Sequence, residues 1–410
     1  MKDYKQLDKC PISHSKKSIT YFDFGMIPLV NNLNDTQSES LSCPTYPLIL
    51  NYYPQSKLSM LSVAIDPKLL FDHYVYKSGT NKPYIEHCKN MYDYLSKFVT
   101  IRHDDTVVDI GGNDGTLLKT FVEKSKVKIS PINIDPSENL SEISKNNGIS
   151  TLTKRWTYGL ASSPSFARQC KVITSTNVFQ HVEDIGDFAS GVHNALTNDG
   201  VWCLEFPYWK KDLETIQYDQ VYHEHIYYYL LTPLNDLFSQ KGLEIIDVSE
   251  QTIHCGSLRI ISRIGRNRMP NPAVSKFIKE ELIFDENFYT NWREKVKTHI
   301  FDSRTMLLDL KKSGKKIAAF GAAAKGCLFL NATNINHKTI DYIVDDTDTK
   351  QNKFMPGVGI QIVDRNRLIK DPPDYIVILA HNFADYITES LRPIYKGKFI
   401  NMFPQPTIYE

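Results

Sequence analysis

Between Val107 and Phe206 the chain repeatedly changes rhythm. Short β-rich apolar runs, "TVVDI", "ISPINID", "KVITSTN" and "VWCLEF", are separated by helix-length segments. Strand–helix alternation with apolar strands predicts a parallel sheet covered on both faces. After Gly242, "LEIIDVSE" and "SLRIISRI" read as strands that complete this sheet. A helical pattern begins near Tyr84, runs through "HCKNMYDYLSKF" and ends before Val99. The charged stretch from about Ser275 to Lys312 reads as one or two helices. It leads to "KKIAAFGAAAKG", a strand entering a glycine turn, and "IDYIVDD", "PDYIVILA" and "KFINMF" then outline a second α/β unit. By contrast, residues 1–72 are rich in Pro, Asn, Ser and Tyr, with short strand-like pieces such as Pro47–Leu50. The expected class is α/β in three parts: a small loop-rich N-terminal domain at 1–72, a central Rossmann-like domain at 73–268 and a second Rossmann-like domain at 269–410.

Composition narrows the function classes. A chain of 410 residues exceeds one ordinary core, and 41% hydrophobic with 23% charged residues is a globular balance. Net charge is +1 with both signs mixed along the chain, so no basic block marks a nucleic-acid binder. The opening MKDYKQLDKC has no apolar run for a signal peptide, and no later run could span a bilayer, so a cytoplasmic protein is expected. The seven cysteines are dispersed, odd in number and without a C-x-x-C pair, which argues for reduced thiols.

"VVDIGGNDGTLL" places Asp109 at a strand end and Gly111, Gly112 and Gly115 in the following turn. Glycines there let the backbone approach a ligand closely. Asp135 ends the next strand, where doubly wound folds place an acid that accepts ribose hydroxyls. The pattern departs from G-x-G-x-x-G, and Asp114 follows the glycines. An acid beside the turn suits a ligand with a sulfonium or amino group, as in S-adenosylmethionine, better than a pyrophosphate. The plain alternative is a tight turn with Asp114 as an acidic helix cap and no ligand. In the second turn, "GAAAKG" (Gly321 to Gly326) is followed by Cys327 and Leu328, so it is not an ATP-hydrolysing P-loop. It can seat a nucleotide phosphate with Lys325 as counter-charge, or serve only helix–sheet packing.

"DQVYHEHIYYY" (Asp219 to Tyr229) gathers acids, histidines and tyrosines after a strand. It is not H-E-x-x-H; on a strand His223 and His225 would share a face, but no third metal ligand stands nearby.

In order and wording, "DFGMIPLVNNL", "LFDHYVYKSGT", "DIGGNDGTLL", "NVFQHVED", "EFPY", "YHEH", "HCGSLR", "FGAAAKG", "PGVGIQI" and "AHNFADYI" resemble the nucleotide-sugar C-methyltransferases of deoxysugar pathways. The resemblance covers nearly the whole chain. It implies a class I methyltransferase centre that binds S-adenosylmethionine and methylates a carbon, C3, of a dTDP-linked 4-keto-6-deoxy sugar. Within it, His225 is the base that makes an enolate, Glu224 orients or charge-tunes its imidazole, and Tyr222 and Tyr76 donate hydrogen bonds to the keto oxygen or nearby groups. Asp109, Gly111, Gly112, Asp114, Gly115, Asp135, Asn177 and His181 are assigned to the cofactor, and Asn31, Arg259, Gly321 and Lys325 to the sugar nucleotide. The family's N-terminal domain holds zinc through two C-x-x-C pairs. Here Cys10 remains but Ser13 replaces its partner, and the second pair falls at Tyr53 and Ser56, so zinc is expected to be lost unless Cys10, His14 and Cys43 form a rearranged site. Cys255 and His381 replace residues usual in the family. A sugar O-methyltransferase and a non-catalytic sugar-nucleotide binder are the competing readings, and a monomer without nucleic-acid or membrane partners is expected.

Overall fold

The computed structural model of the protein describes residues 3–71, 78–80, 82–252, 256–265 and 271–409. Its N-terminal strands are β1 (Tyr4–Gln6), β2 (Ile19–Pro28), β3 (Thr45–Tyr53), β4 (Leu58–Leu61) and β5 (Val63–Ile65). β2, β3 and β4 form an antiparallel ladder, and β1 pairs with β5.

The central strands are β6 (Thr106–Ile110), β7 (Ser130–Ile134), β8 (Ser150–Leu152), β9 (Cys170–Thr176) and β10 (Leu196–Pro207). They are parallel and ordered β8-β7-β6-β9-β10. The short β11 (Tyr227–Tyr228) leaves this sheet and pairs with β4, completing the N-terminal sheet. β12 (Leu243–Gln251) and β13 (Ser257–Ile264) then close the far edge of the central sheet, with antiparallel β13 inserted beside β10. Val107 to Ile110 and Val201 to Phe206 are buried throughout, as strands covered on both faces require.

In the C-terminal part lie β14 (Ile317–Phe320), β15 (Ile343–Val344), β16 (Phe354–Met355), β17 (Ile360–Val363), β18 (Tyr375–Ile378), β19 (Lys398–Asn401) and β20 (Thr407–Tyr409). They form a second seven-stranded sheet, ordered β16-β17-β15-β14-β18-β19-β20. The charged stretch before it is two helices, Pro272–Glu280 and the long Glu286–Lys312. The helix expected near Tyr84 spans Lys82–Leu95.

The N-terminal part is tied to both neighbours. Tyr289 of the long helix packs its ring against Tyr21 and Tyr52, with centroids 4.6 and 4.3 Å apart. Ser40 Oγ donates to the Met355 carbonyl at 2.6 Å, and Lys353 pairs with Asp35. Cys10, Cys43, Cys88, Cys170, Cys203 and Cys327 are free thiols. Among the described residues, no helix is long and apolar enough to cross a membrane.

Candidate active site

The central sheet reverses its order between β6 and β9, the switch point at which doubly wound sheets open a crevice beyond their strand ends. A cleft of about 330 Å³ opens there. Gly111 to Asn113 line it after β6, Asp135 to Ser137 after β7, Thr176 to Val178 after β9, and Pro207 at the end of β10. Facing them are Gln220, Tyr222, Glu224 and His225. Asn31 enters from the N-terminal part, Lys325 and Asn382 from the C-terminal part.

The glycine turn is tightly specified. Gly111 has φ +69°, and a Cβ on it would lie 2.3 Å from the Val178 side chain. A Cβ on Gly112 would lie 2.4 Å from Asn133 Oδ1. Neither position admits a larger residue without displacing its neighbour. Asp135 accepts the Asn113 N–H on Oδ2 at 2.9 Å and the Ser137 N–H on Oδ1 at 2.8 Å. Burial raises its carboxyl, and these two N–H groups pull it back. The Ser137 hydroxyl adds a further bond, and because a carboxylate has about four acceptor positions, room is left for a ligand hydroxyl. Asn177, at φ +55°, donates its N–H to the Glu205 carbonyl at 2.8 Å, which leaves its side chain on the cleft wall. Bare glycine backbone, an acceptor at the second strand end and a third polar wall fit the ribose and amino-acid ends of S-adenosylmethionine.

Residues 222–225 form a turn closed by the His225 N–H on the Tyr222 carbonyl at 2.9 Å. The two histidines therefore diverge. His223 points to the N-terminal part, with Nε2 3.3 Å from the Pro47 carbonyl, and burial lowers its pKa to about 4. His225 enters the cleft. Its Nδ1 lies 3.1 Å from the Gln220 carbonyl, which can only accept. The proton of the neutral ring accordingly sits on Nδ1, and Nε2 carries the lone pair. Burial, then the nearby His181, hold its pKa well below the usual value. The Tyr222 ring lies on it at 4.2 Å, and the His181 ring stands at 5.1 Å. His181 Nδ1 is 2.6 Å from the Glu224 carbonyl, and its own pKa is pushed down to about 4 by burial.

Several expectations need correction. Glu224 does not orient His225: its Oε1 accepts from Asn31 Nδ2 at 2.9 Å, while backbone carbonyls position the imidazoles. Its Oε2 is buried without a partner among the described residues, and burial raises the carboxyl. Arg259 is not in the cleft. It lies within the sheet, 2% exposed, with Nε 2.9 Å from Glu205 Oε2 and the partly buried His87 completing a triad. Asp109 is likewise buried, accepting from Thr174 at 2.7 Å, with its pKa pushed up to about 7 by burial and by Asp135. It backs the turn without lining the cleft. Asp114 accepts the Gly79 N–H at 2.8 Å and the Thr116 hydroxyl at 2.6 Å, a brace between the segment at 78–80 and the next helix. Gly115 caps that helix against Ser144. Gly321 packs on Ala380, and Lys325 is the residue of its motif that reaches the cleft. Tyr76, His254 and Cys255 lie outside the described residues.

Sequence reasoning missed Asn113, Ser137, Gln180, Gln220 and Asn382. All but Ser137 lie inside the quoted motifs, and Ser137 follows two after Asp135, so reading the polar residues within each motif and just beyond the second strand would have found them. Among the described residues, no group of three His, Cys, Asp or Glu side chains is placed to hold a metal ion.

A family described as a methyltransferase domain matches residues 84–248, and one described as a C-methyltransferase C-terminal domain matches residues 252–404. C-methyltransferase NovU of Streptomyces niveus is 28% identical over 423 residues, an alignment covering 98% of this chain and 97% of that protein. Among solved structures, the geranyl diphosphate C-methyltransferase of Streptomyces coelicolor A3(2) aligns at 9% identity and a TM-score of 0.36, covering 45% of this chain and 85% of that one. An S-adenosylmethionine-dependent methyltransferase from Clostridium acetobutylicum aligns at 13% identity and a TM-score of 0.33, covering 43% and 89%.

Proposed function

We propose that the chain is an S-adenosylmethionine-dependent C-methyltransferase, a reading its matches to methyltransferase families and to a C-methyltransferase support, and that its substrate is a nucleotide-linked 4-keto-6-deoxy sugar, dTDP-linked and methylated at C3 through an enolate. The observation that carries this reading is the placement of His225. Its Nε2 is the basic nitrogen, its Nδ1 is fixed on Gln220, and the ring lines the same cleft as the glycine turn. A base that must take a proton from carbon next to a ketone needs a neutral imidazole already oriented, and burial supplies the neutrality.

In the proposed reaction Nε2 takes the C3 proton and the C–H electron pair moves into the enolate, with charge developing on the keto oxygen. Tyr222, whose ring lies against His225, donates to that oxygen. Tyr76 is assigned the same role from the sequence motif alone. Bound S-adenosylmethionine supplies the electrophilic methyl group. Gly111, Gly112, Asn113, Asp135 and Asn177 hold the cofactor, with His181 closing the wall beside the base. On the substrate side, Glu224 Oε2 accepts from a sugar donor group, and Asn31 fixes the carboxylate for it. Lys325 stands in the first turn of the helix Ala324–Ala332, which has no side-chain cap, so ammonium and helix N-terminus together suit a diphosphate.

Zinc has no part in this proposal. The Cys10 thiol lies 3.2 Å from the Ser56 hydroxyl and accepts the Ile12 and Ser13 N–H groups at 3.4 Å. Those hydrogen bonds hold the loop where a metal would otherwise be needed, and one zinc per purified chain would refute the point.

The decisive experiment combines the protein, S-adenosylmethionine and a dTDP-4-keto-6-deoxyhexose in deuterated water, read by mass spectrometry and NMR. A new methyl on C3 is the expected result. A methyl on oxygen, with no deuterium entering the sugar ring, would replace the reading with O-methylation.

A further inference from the structure

His225 takes its tautomer from one carbonyl, that of Gln220, so whatever fixes Gln220 sets the base. Gln220 ends the short 3-10 turn Tyr218–Gln220, and that turn is gripped from the C-terminal side. Asp219 Oδ2 accepts from His381 Nε2 at 2.9 Å, with the side chains 1% and 7% exposed. His299, on the long helix, has Nε2 2.7 Å from the Met402 carbonyl, which makes Nε2 the donor. Its Nδ1 therefore accepts, and the Tyr218 hydroxyl donates to it at 3.2 Å. The Phe403 ring lies between the two histidines, 4.8 Å from His299 and 4.7 Å from His381, and packs on Tyr218 at 5.3 Å.

We propose that the buried His381–Asp219 pair is a positioning device: through the 218–220 turn it holds the Gln220 carbonyl on His225 Nδ1, so the C-terminal part must be docked before the base is armed. This rests on His225 being the base. The opposite tautomer would put the proton on Nε2, facing the substrate, where it could accept nothing from carbon. Apart from His381, the Asp219 carboxylate is held by its own N–H, and the Gln220 side chain by Asp212. Asp219 Oδ1 has no partner among the described residues, and the neighbouring charges are Lys325 and the buried Asp212. Burial pushes its carboxyl up, but His381 and then Lys325 outweigh this and keep it ionised. Loss of His381 thus releases the turn as well as one hydrogen bond.

The test is the His381→Ala variant of the full chain, with histidine side chains labelled in ¹⁵N. In the parent protein, NMR should show His225 protonated on Nδ1; in the variant, it should show a mixture of tautomers. Turnover should fall by roughly 10- to 100-fold, while affinity for S-adenosylhomocysteine stays within about twofold of the parent's. His381→Gln, which keeps an N–H for Asp219, should restore the single tautomer. If His381→Ala does not fold, as loss of S-adenosylhomocysteine binding would show, Phe403→Leu loosens the same histidine and should give the same mixture. A single Nδ1–H tautomer in whichever of these variants folds overturns the proposal. A mixture with full turnover would leave the positioning intact and instead remove His225 as the base.

Discussion

The two α/β halves share one local design and put it to different uses. After β7, Asp135 accepts the N–H of Asn113 from the first turn and of Ser137 from its own loop. After β15, Asp345 does the same with Ala322 at 2.7 Å and Thr347 at 2.9 Å. In the C-terminal half, however, Lys350 closes the space. Its ammonium donates to the Ala322 carbonyl at 2.9 Å and stands 3.5 Å from Asp345. The central turn opens on the cleft, while its counterpart is filled by a side chain of its own. Glycine turn, strand-end acid and helix are therefore a way of joining a strand to a helix. What distinguishes the central turn is that, among the described residues, no cation of its own loop fills it, and that residues of the other parts face it.

The sharpest way to break this comparison is to remove chemistry from the central half alone. His225→Gln should lower turnover by about 10²–10⁴-fold, the usual contribution of general base catalysis. Calorimetry should still show S-adenosylhomocysteine binding. Arg259→Ala tests whether the triad is scaffold. Stripping one partner from a buried pair costs about 3–5 kcal/mol, so denaturant unfolding should register the loss. A raised KM for the sugar at unchanged stability would return Arg259 to the substrate.

Smaller effects discriminate between the two acids. Asp135→Ala should weaken S-adenosylmethionine binding by about 1.5–3 kcal/mol, the value of hydrogen bonds to a charged group. Asp345→Ala should lower thermal stability and leave that affinity unchanged. The pH profile sharpens the assignment further. Because the folded pKa of His225 lies below 6.5, its ring remains neutral as pH falls through 6.5. The acid limb of kcat/KM should accordingly lie below that value, and a limb at or above 6.5 would point to another base. The smallest change belongs to Lys350→Met. It should leave the stoichiometry at one S-adenosylmethionine per chain, whereas a second bound molecule would show that Lys350 alone had kept the other turn shut.

The α/β class, the alternation of elements and the glycine turn were legible because they are local. β-rich runs, helix-length spacings and Gly111–Gly112 act through near neighbours and are written in consecutive residues. The core of the site was legible for the same reason, since Asp135, Asn177, His181, Tyr222 and His225 fall inside short motifs that all reach one cleft. Arg259 was misplaced because its register opposite Glu205 depends on the antiparallel insertion of β13 beside β10, a pairing between segments about fifty residues apart. Glu224 was given the wrong neighbour because its partner, Asn31, comes from far away in the sequence.

By itself, then, the sequence determined the strand–helix grammar, the glycine turn with its acid, and the gathering of histidines and tyrosines in one short segment. Only the tertiary structure decided which nitrogen of His225 is basic, which of two similar turns stays open, and that β11 completes the N-terminal sheet. Those outcomes depend on single hydrogen bonds between distant segments. Periodicity and composition carry no record of such contacts, because their energy appears only when the folded chain brings the partners within about 3 Å.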